Sequence, residues 1–304
     1  MKNAFEQVNE TLFISGFADE MTSDFEQQLI HCQNLGIRYL SLRGVNGKNI
    51  GDITFEEAQN QILPLLQTYD IKVSSIGSPI GKIALHDEAA FAKQLAMLKE
   101  LCAIANLLSC RYIRIFSFYP EEGSNFDEAK DEVIAKLKQF VAIAESAGII
   151  LIHENEKDIY GDIARRCKTL FSEIISPNFK AVFDPANFVQ MGEDAYECFD
   201  LLEDDIVYIH IKDACYTDEQ NVVCGSGDGK IAAILRKAME DGYEGFLTLE
   251  PHLVIFDSLK DLELKDVHDI IKEDKGLDPV EAYDMQYTAL LNILKTIGGQ
   301  YEKN

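Results

Sequence analysis

Residues 127–156 read DEAKDEVIAKLKQFVAIAESAGIILIHENE. An amphipathic helix fits 127–147, Gly148 supplies the left-handed stop that ends it, and 149–152 are consecutive apolar positions, as in a strand covered on both faces. The strand then turns polar at His153, Glu154, Asn155 and Glu156. Helix, glycine, apolar strand and polar strand end make one unit, and the rest of the chain repeats it. Further apolar, β-branched-rich runs lie at 12–15, 39–43, 72–76, 112–116, 181–184, 206–211 and 246–250, spaced by one strand, one helix and two loops. Helical patterns fill intervals at 24–35, 89–107, 163–174 and 232–240, two of them also stopping at a glycine, Gly36 and Gly242. The last helix opens at Asp278-Pro279, a cap followed by proline at the first helical position, and extends to 297.

Eight strands alternating with eight helices, with no linker-like composition between them, predict an α/β fold of one domain over 1–304, a single (β/α)8 TIM barrel. A doubly wound sheet would need a dinucleotide-binding turn after strand 1, and Ser15-Gly16-Phe17-Ala18-Asp19 is not one. Residues 256–276, long and highly charged, read as an insertion between strand 8 and the last helix, either a lid over the barrel mouth or a solvated surface excursion.

The 304 residues carry 52 Asp+Glu against 28 Lys+Arg, a formal net charge of −24. Such a chain is repelled by phosphate backbones and anionic lipid, so neither nucleic acid nor a membrane is an expected partner. No signal-like N-terminal segment and no apolar run of membrane-spanning length occurs. The seven cysteines show no CxxC and no regular spacing, which supports neither a disulfide framework nor a zinc finger. A reducing compartment, the cytoplasm, is expected.

In a barrel of this kind function sits at the C-terminal strand ends. Strand 5 ends in His153-Glu154-Asn155-Glu156, strand 6 in Asp184-Pro185-Ala186-Asn187 and strand 8 in Glu250-Pro251-His252, while strand 7 carries His210 and Lys212. Singly, each has a plain structural explanation: Asp184 can cap the next helix, His210 can be a satisfied core residue, and a glutamate can be an ion-pair partner. Together, three carboxylates converging on one mouth repel one another unless a cation sits among them. Carboxylate oxygens with one imidazole suit a single divalent ion, Mn2+ first, with Mg2+, Co2+ or Zn2+ also compatible.

The motifs GFADE (16–20), LSLRGVNGKNI (40–50), HENEKDIYGD (153–162), FDPANFV (183–189), IHIKDA (209–214) and LEPHL (249–253) together resemble the xylose isomerase-like TIM-barrel superfamily of sugar phosphate isomerases and epimerases. That superfamily includes ketose 3-epimerases, hydroxypyruvate isomerases, inosose dehydratase and endonuclease IV-type repair enzymes, and the likeness runs through nearly the whole chain. The resemblance implies a metal held by Glu154, Asp184, His210 and Glu250, with Glu156 the rival of Glu154 because the doubled Glu-Asn-Glu leaves the register open. It implies a metal-dependent isomerase or epimerase moving a proton α to a carbonyl of a small sugar or polyol substrate through an enediolate. Glu154 and Glu250 would be the acid/base pair, and dehydration of the inosose type would use the same site. Epimerase members often carry a histidine three residues after the strand 6 aspartate; here Asn187 can hydrogen-bond a hydroxyl but cannot carry a proton. An endonuclease would need many histidine ligands and a basic groove, which six histidines and the acid excess oppose. A non-catalytic sugar-binding barrel has no reason to keep the four-ligand set. Barrels of this family commonly associate, so a homo-oligomer is expected.

Arg43, Arg114, Asn187 and Lys212 are candidate substrate-binding residues; the two arginines either clamp an anionic group or pair with the acid cluster. Residues 225–230, GSGDGK, read either as a backbone cradle for a phosphate or carboxylate or as a turn needing glycine dihedrals. Strand alternation sends His153 to the face opposite Glu154, a structural position.

Overall fold

The computed structural model describes residues 11–121, 123–256 and 276–301. Its inner layer is eight parallel strands: β1 (Leu12–Gly16), β2 (Tyr39–Leu42), β3 (Lys72–Gly77), β4 (Tyr112–Ile115), β5 (Ile150–Glu154), β6 (Phe179–Phe183), β7 (Ile206–Ile211) and β8 (Gly245–Leu249). From β2 to β8 each strand pairs with the next in sequence, and β8 returns to pair with β1 from Leu12↔Gly245 to Gly16↔Leu249. Among the described residues β1 and β2 share no backbone ladder. The Phe13 and Tyr39 rings, 5.1 Å apart, face one another across that seam. The result is a nearly closed TIM barrel.

Helices α1 (Phe25–Leu35), α2 (Leu63–Tyr69), α3 (Glu88–Leu107), α4 (Lys130–Ala147), α5 (Ala164–Glu173), α6 (Ala195–Leu202), α7 (Ile231–Glu240) and α8 (Pro279–Tyr301) follow the strands in turn. The helix expected from 127 begins as a 3-10 turn, Phe126–Ala129, because the Asn125 side chain accepts the Asp127 N–H and draws the first turn tight. Gly36 and Gly148 end α1 and α4 in the left-handed conformation, with φ of 79° and 71°. The charged insertion read at 256–276 falls almost entirely on 257–275, outside the described residues. No described helix is long and apolar enough to cross a membrane.

Inside the barrel the strands are less uniformly apolar than their sequences suggest. Buried hydroxyls hydrogen-bond one another: Ser15 to Ser74 at 2.5 Å, Ser74 to the Tyr208 hydroxyl at 2.9 Å, and Thr248 to the same hydroxyl at 2.6 Å. Each of these hydroxyls finds a partner inside the barrel, so burial leaves none of these contacts unmade.

Candidate metal centre

Strand alternation builds the site in layers. Ile152, Val182 and Tyr208 pack together inside the barrel, with Tyr112 against them. Two residues further along the same four strands stand Glu154, Asp184, His210 and Arg114, all buried. Glu250, just beyond β8, completes the ring. One ligand-type atom from each of Glu154, Asp184, His210 and Glu250 lies within 4.8 Å of the others.

The carboxylates are held in a consistent way. His210 Nδ1 faces Glu154 Oε1 at 3.0 Å, Glu250 Oε2 at 3.0 Å and Asp184 Oδ2 at 3.8 Å. The other oxygen of each lies against a fixed donor, hydrogen-bonded for Asp184 and Glu250 and ion-paired only for Glu154. Arg114 Nη1 lies 3.0 Å from Glu154 Oε2, the Asn187 backbone N–H donates to Asp184 Oδ1 at 3.1 Å, and Arg43 Nη1 donates to Glu250 Oε1 at 2.9 Å. Supporting partners of this kind orient ligands and set which atom faces inward. Asn155 secures Asp184 further, its amide accepting from the Asp184 N–H and donating to the Asp184 carbonyl at 3.0 and 2.9 Å.

Charge is dense in the mouth. Asp19, Glu20, Glu154, Asp184 and Glu250 lie among three permanent cations, Arg43, Arg114 and Lys212. Burial disfavours the His210 imidazolium, yet Glu154 and Glu250 overcome it and raise its pKa well above the usual histidine range. Burial likewise opposes ionised Glu250, but Lys212 and His210 hold its carboxyl well below the usual value. Burial pushes Glu20 up to about 8 against the pull of Arg43. Asp184 Oδ2 and Glu250 Oε2, both buried, make no aligned hydrogen bond. Three inward oxygens and one imidazole nitrogen fit a divalent cation.

The structure brings Glu154 to the cluster and directs Glu156 away, to Lys82 Nζ at 3.1 Å. Arg43 and Arg114 take the pairing alternative. Arg43 grips Asp19 through Nε and Nη2 (2.8 and 3.0 Å), reaches Glu20 at 3.2 Å, and stacks 4.3 Å above the Phe17 ring. Asn187 donates its side-chain amide to the Asn155 carbonyl at 2.7 Å, tying the ends of β5 and β6 together. Lys212 points into the mouth, 2.9 Å from Asp184 Oδ2. His153 lies on the outer face against Phe171 and Phe179, where burial drives its pKa down to about 3. Asp19, Glu20 and Asn155 escaped the sequence reading, for nothing local distinguishes a polar residue that serves another side chain from one that faces solvent. A second grouping, Glu20, Glu250 and His252, shares Glu250. Its Glu20 Oε1 and Glu250 Oε1 already bind Arg43, so a guanidinium fills the place of a cation there.

The glycine-rich loop after β7 holds an anion of its own. The Asp213 carboxylate accepts N–H bonds from Ala214, Gly225, Gly227 and Gly229 at 2.8–3.0 Å. A Cβ on Gly227 would stand 2.5 Å from the Ala214 carbonyl oxygen and 2.5 Å from Asp213 Oδ1. Close approach to Asp213 is therefore what requires glycine at 227 and 229. Gly227→Ala is expected to lower unfolding stability by about 1–3 kcal/mol through overpacking, read by chemical denaturation. An unchanged midpoint would show that the loop yields at no cost.

Residues 29–274 match the family described as xylose isomerase-like TIM barrel. The chain is 29% identical over 164 residues to an uncharacterized protein of Methanocaldococcus jannaschii, MJ1311, a match spanning 51% of this chain and 55% of that protein. It is 22% identical over 198 residues to fructoselysine 3-epimerase of Escherichia coli O157:H7, spanning 62% and 72%. Among solved structures, the IolI protein with a bound zinc atom superposes with a TM-score of 0.71 at 16% identity, covering 94% of this chain and 99% of that one. The D-allulose 3-epimerase of Methylomonas sp. in complex with D-allulose gives 0.71 at 16% identity over 94% and 97%.

Proposed function

Because the chain belongs to the xylose isomerase-like TIM-barrel family, we propose that it is a divalent-metal-dependent isomerase or epimerase that moves a proton α to the carbonyl of a small sugar- or polyol-derived substrate. The observation that carries this reading is the arrangement of Glu154, Asp184 and Glu250, each with one oxygen against a fixed hydrogen-bond or ion-pair partner and the other turned toward His210 Nδ1. Glu154, Asp184, His210 and Glu250 would hold the ion, Mn2+ by the preference of oxygen-rich sites with one imidazole. When bound, such an ion polarises a carbonyl and stabilises the enediolate formed from it.

Glu154 and Glu250 come from β5 and from beyond β8, on different sides of the barrel ring. One takes the α-proton from one face of the substrate and the other returns a proton on the opposite face, which epimerises the carbon. Return to the neighbouring carbon interconverts aldose and ketose. Arg43 and Arg114 keep these carboxylates in place, while Lys212 and Asn187 are the side chains offered to substrate hydroxyls. The names of the fructoselysine and D-allulose 3-epimerases support a small sugar substrate.

The test is proton exchange. Mn2+-loaded protein in D2O, screened by NMR against ketoses, hydroxypyruvate and inososes, is expected to place deuterium on the carbon next to a carbonyl. Loss of water from an inosose would assign dehydration to the same residues. Neither reaction with any candidate, together with no metal by elemental analysis, would overturn the reading.

A further inference from the structure

Lys212 stands apart from the other cations of the mouth. Arg43 and Arg114 bind the outward oxygens, Glu250 Oε1 and Glu154 Oε2. Lys212 Nζ instead lies 2.9 Å from Asp184 Oδ2 and 3.8 Å from Glu250 Oε2, the oxygens turned toward His210. The other Asp184 oxygen, Oδ1, faces away from His210 and accepts the Asn187 N–H in the cap of the short helix Pro185–Gln190 that follows β6. Glu250 Oε1 is equally committed to Arg43. A cation held by Asp184 and Glu250 together with His210 would take the oxygens turned toward His210, which are those that Lys212 contacts. Those contacts are ion pairs only, since neither oxygen makes an aligned hydrogen bond, and the lysine is 3% exposed.

Resting on the metal-centre reading above, we propose that Lys212 is the resident counter-cation of the metal-free site, that a divalent ion displaces its ammonium from Asp184 Oδ2 and Glu250 Oε2, and that the displaced ammonium then pairs with an oxygen of the bound substrate. The cause is electrostatic. An ion within ligand distance of these oxygens lies close to the ammonium in a site shut off from water, where like charges repel strongly. The two kinds of cation also differ in freedom. A lysine ammonium is a point charge on four rotatable methylenes, whereas the Arg43 guanidinium is locked by four hydrogen bonds to three carboxylates. The site can therefore exchange Lys212 for a metal and keep its arginines in place. The freed ammonium remains beside the reacting centre, which favours substrates with an anionic or strongly accepting oxygen next to the chelated pair.

Mn2+ affinity of the metal-free protein, measured by calorimetry alongside thermal unfolding with and without Mn2+, tests this. Lys212→Met and Lys212→Gln are each expected to bind Mn2+ about tenfold tighter or more. Each should also be less stable than wild type without metal, and should gain more in melting temperature when Mn2+ is added. If Lys212→Met does not fold, Lys212→Gln carries the comparison. Folded variants that bind Mn2+ no tighter than a wild type that does bind it would overturn the displacement and leave the metal centre standing. No Mn2+ binding by wild type or either variant would remove both.

Discussion

Glu250→Gln is expected to reduce α-proton exchange by about 10²–10⁴-fold, the usual worth of a positioned acid or base, with Mn2+ affinity falling as well. The amide keeps an oxygen that can accept from Arg43, so the bond now made at 2.9 Å survives. It loses the charge facing His210 Nδ1 at 3.0 Å and replaces the inward oxygen with an N–H2 aimed at an imidazole and an ammonium. Glu154→Gln should behave alike, since its inward oxygen faces His210 Nδ1 at the same 3.0 Å, with Arg114 beside the outer oxygen as an ion-pair partner. Glu156→Gln provides the contrast: that carboxylate pairs with Lys82, and exchange should stay within about tenfold of wild type. Exchange rates by NMR, with circular dichroism to show that each variant is folded, decide the matter. A Glu250→Gln enzyme as fast as wild type would remove Glu250 from the acid/base pair, and a Glu156→Gln enzyme as slow as Glu154→Gln would reopen the choice between the two glutamates.

The largest effect on stability is expected at Arg43. Its guanidinium is 1% exposed and donates four hydrogen bonds, two to Asp19 and one each to Glu20 and Glu250. Arg43→Met keeps much of the apolar stem over Phe17 but leaves three buried carboxylates without their shared cation. Breaking a buried pair from one side typically destabilises by about 3–5 kcal/mol, because the remaining charge stays out of water. Arg43→Lys should recover only part of this, since one ammonium cannot reproduce a fork that meets Asp19 and Glu250 together. Urea denaturation measures both variants. A loss below about 1 kcal/mol for Arg43→Met would mean that water or protonation relieves the carboxylates, and that Arg43 is not what holds Glu250 in place.

The match between sequence and structure is uneven in an instructive way. Strand parity was legible: 152, 182 and 208 are inward because 154, 184 and 210 are, and the period of two is a property of the backbone that needs no partner. The same parity put His153 on the outer face, where it lies between Phe171 and Phe179. Parity could not separate Glu154 from Glu156, which share it. What separates them is that β5 ends at Glu154, whereas Glu156 lies beyond the strand within reach of Lys82.

The glycine loop shows the same limit. Its composition left two readings open, a cradle for an anion or a turn needing glycine dihedrals; in the structure the loop closes on Asp213, held by four N–H groups. Glycine spacing records how near the backbone must come, not what it comes near to.

From sequence alone followed the alternation of strand and helix, the barrel it closes, and the chemical types waiting at successive strand ends, all set by short-range periodicity. Tertiary structure decided how those groups are used: Arg43 holds Glu250 from 207 residues away, Asn155 fixes Asp184, and Lys212 lies on the two oxygens a metal would need. Such pairings join residues far apart in sequence at the ends of different strands, and only the assembled barrel brings them together.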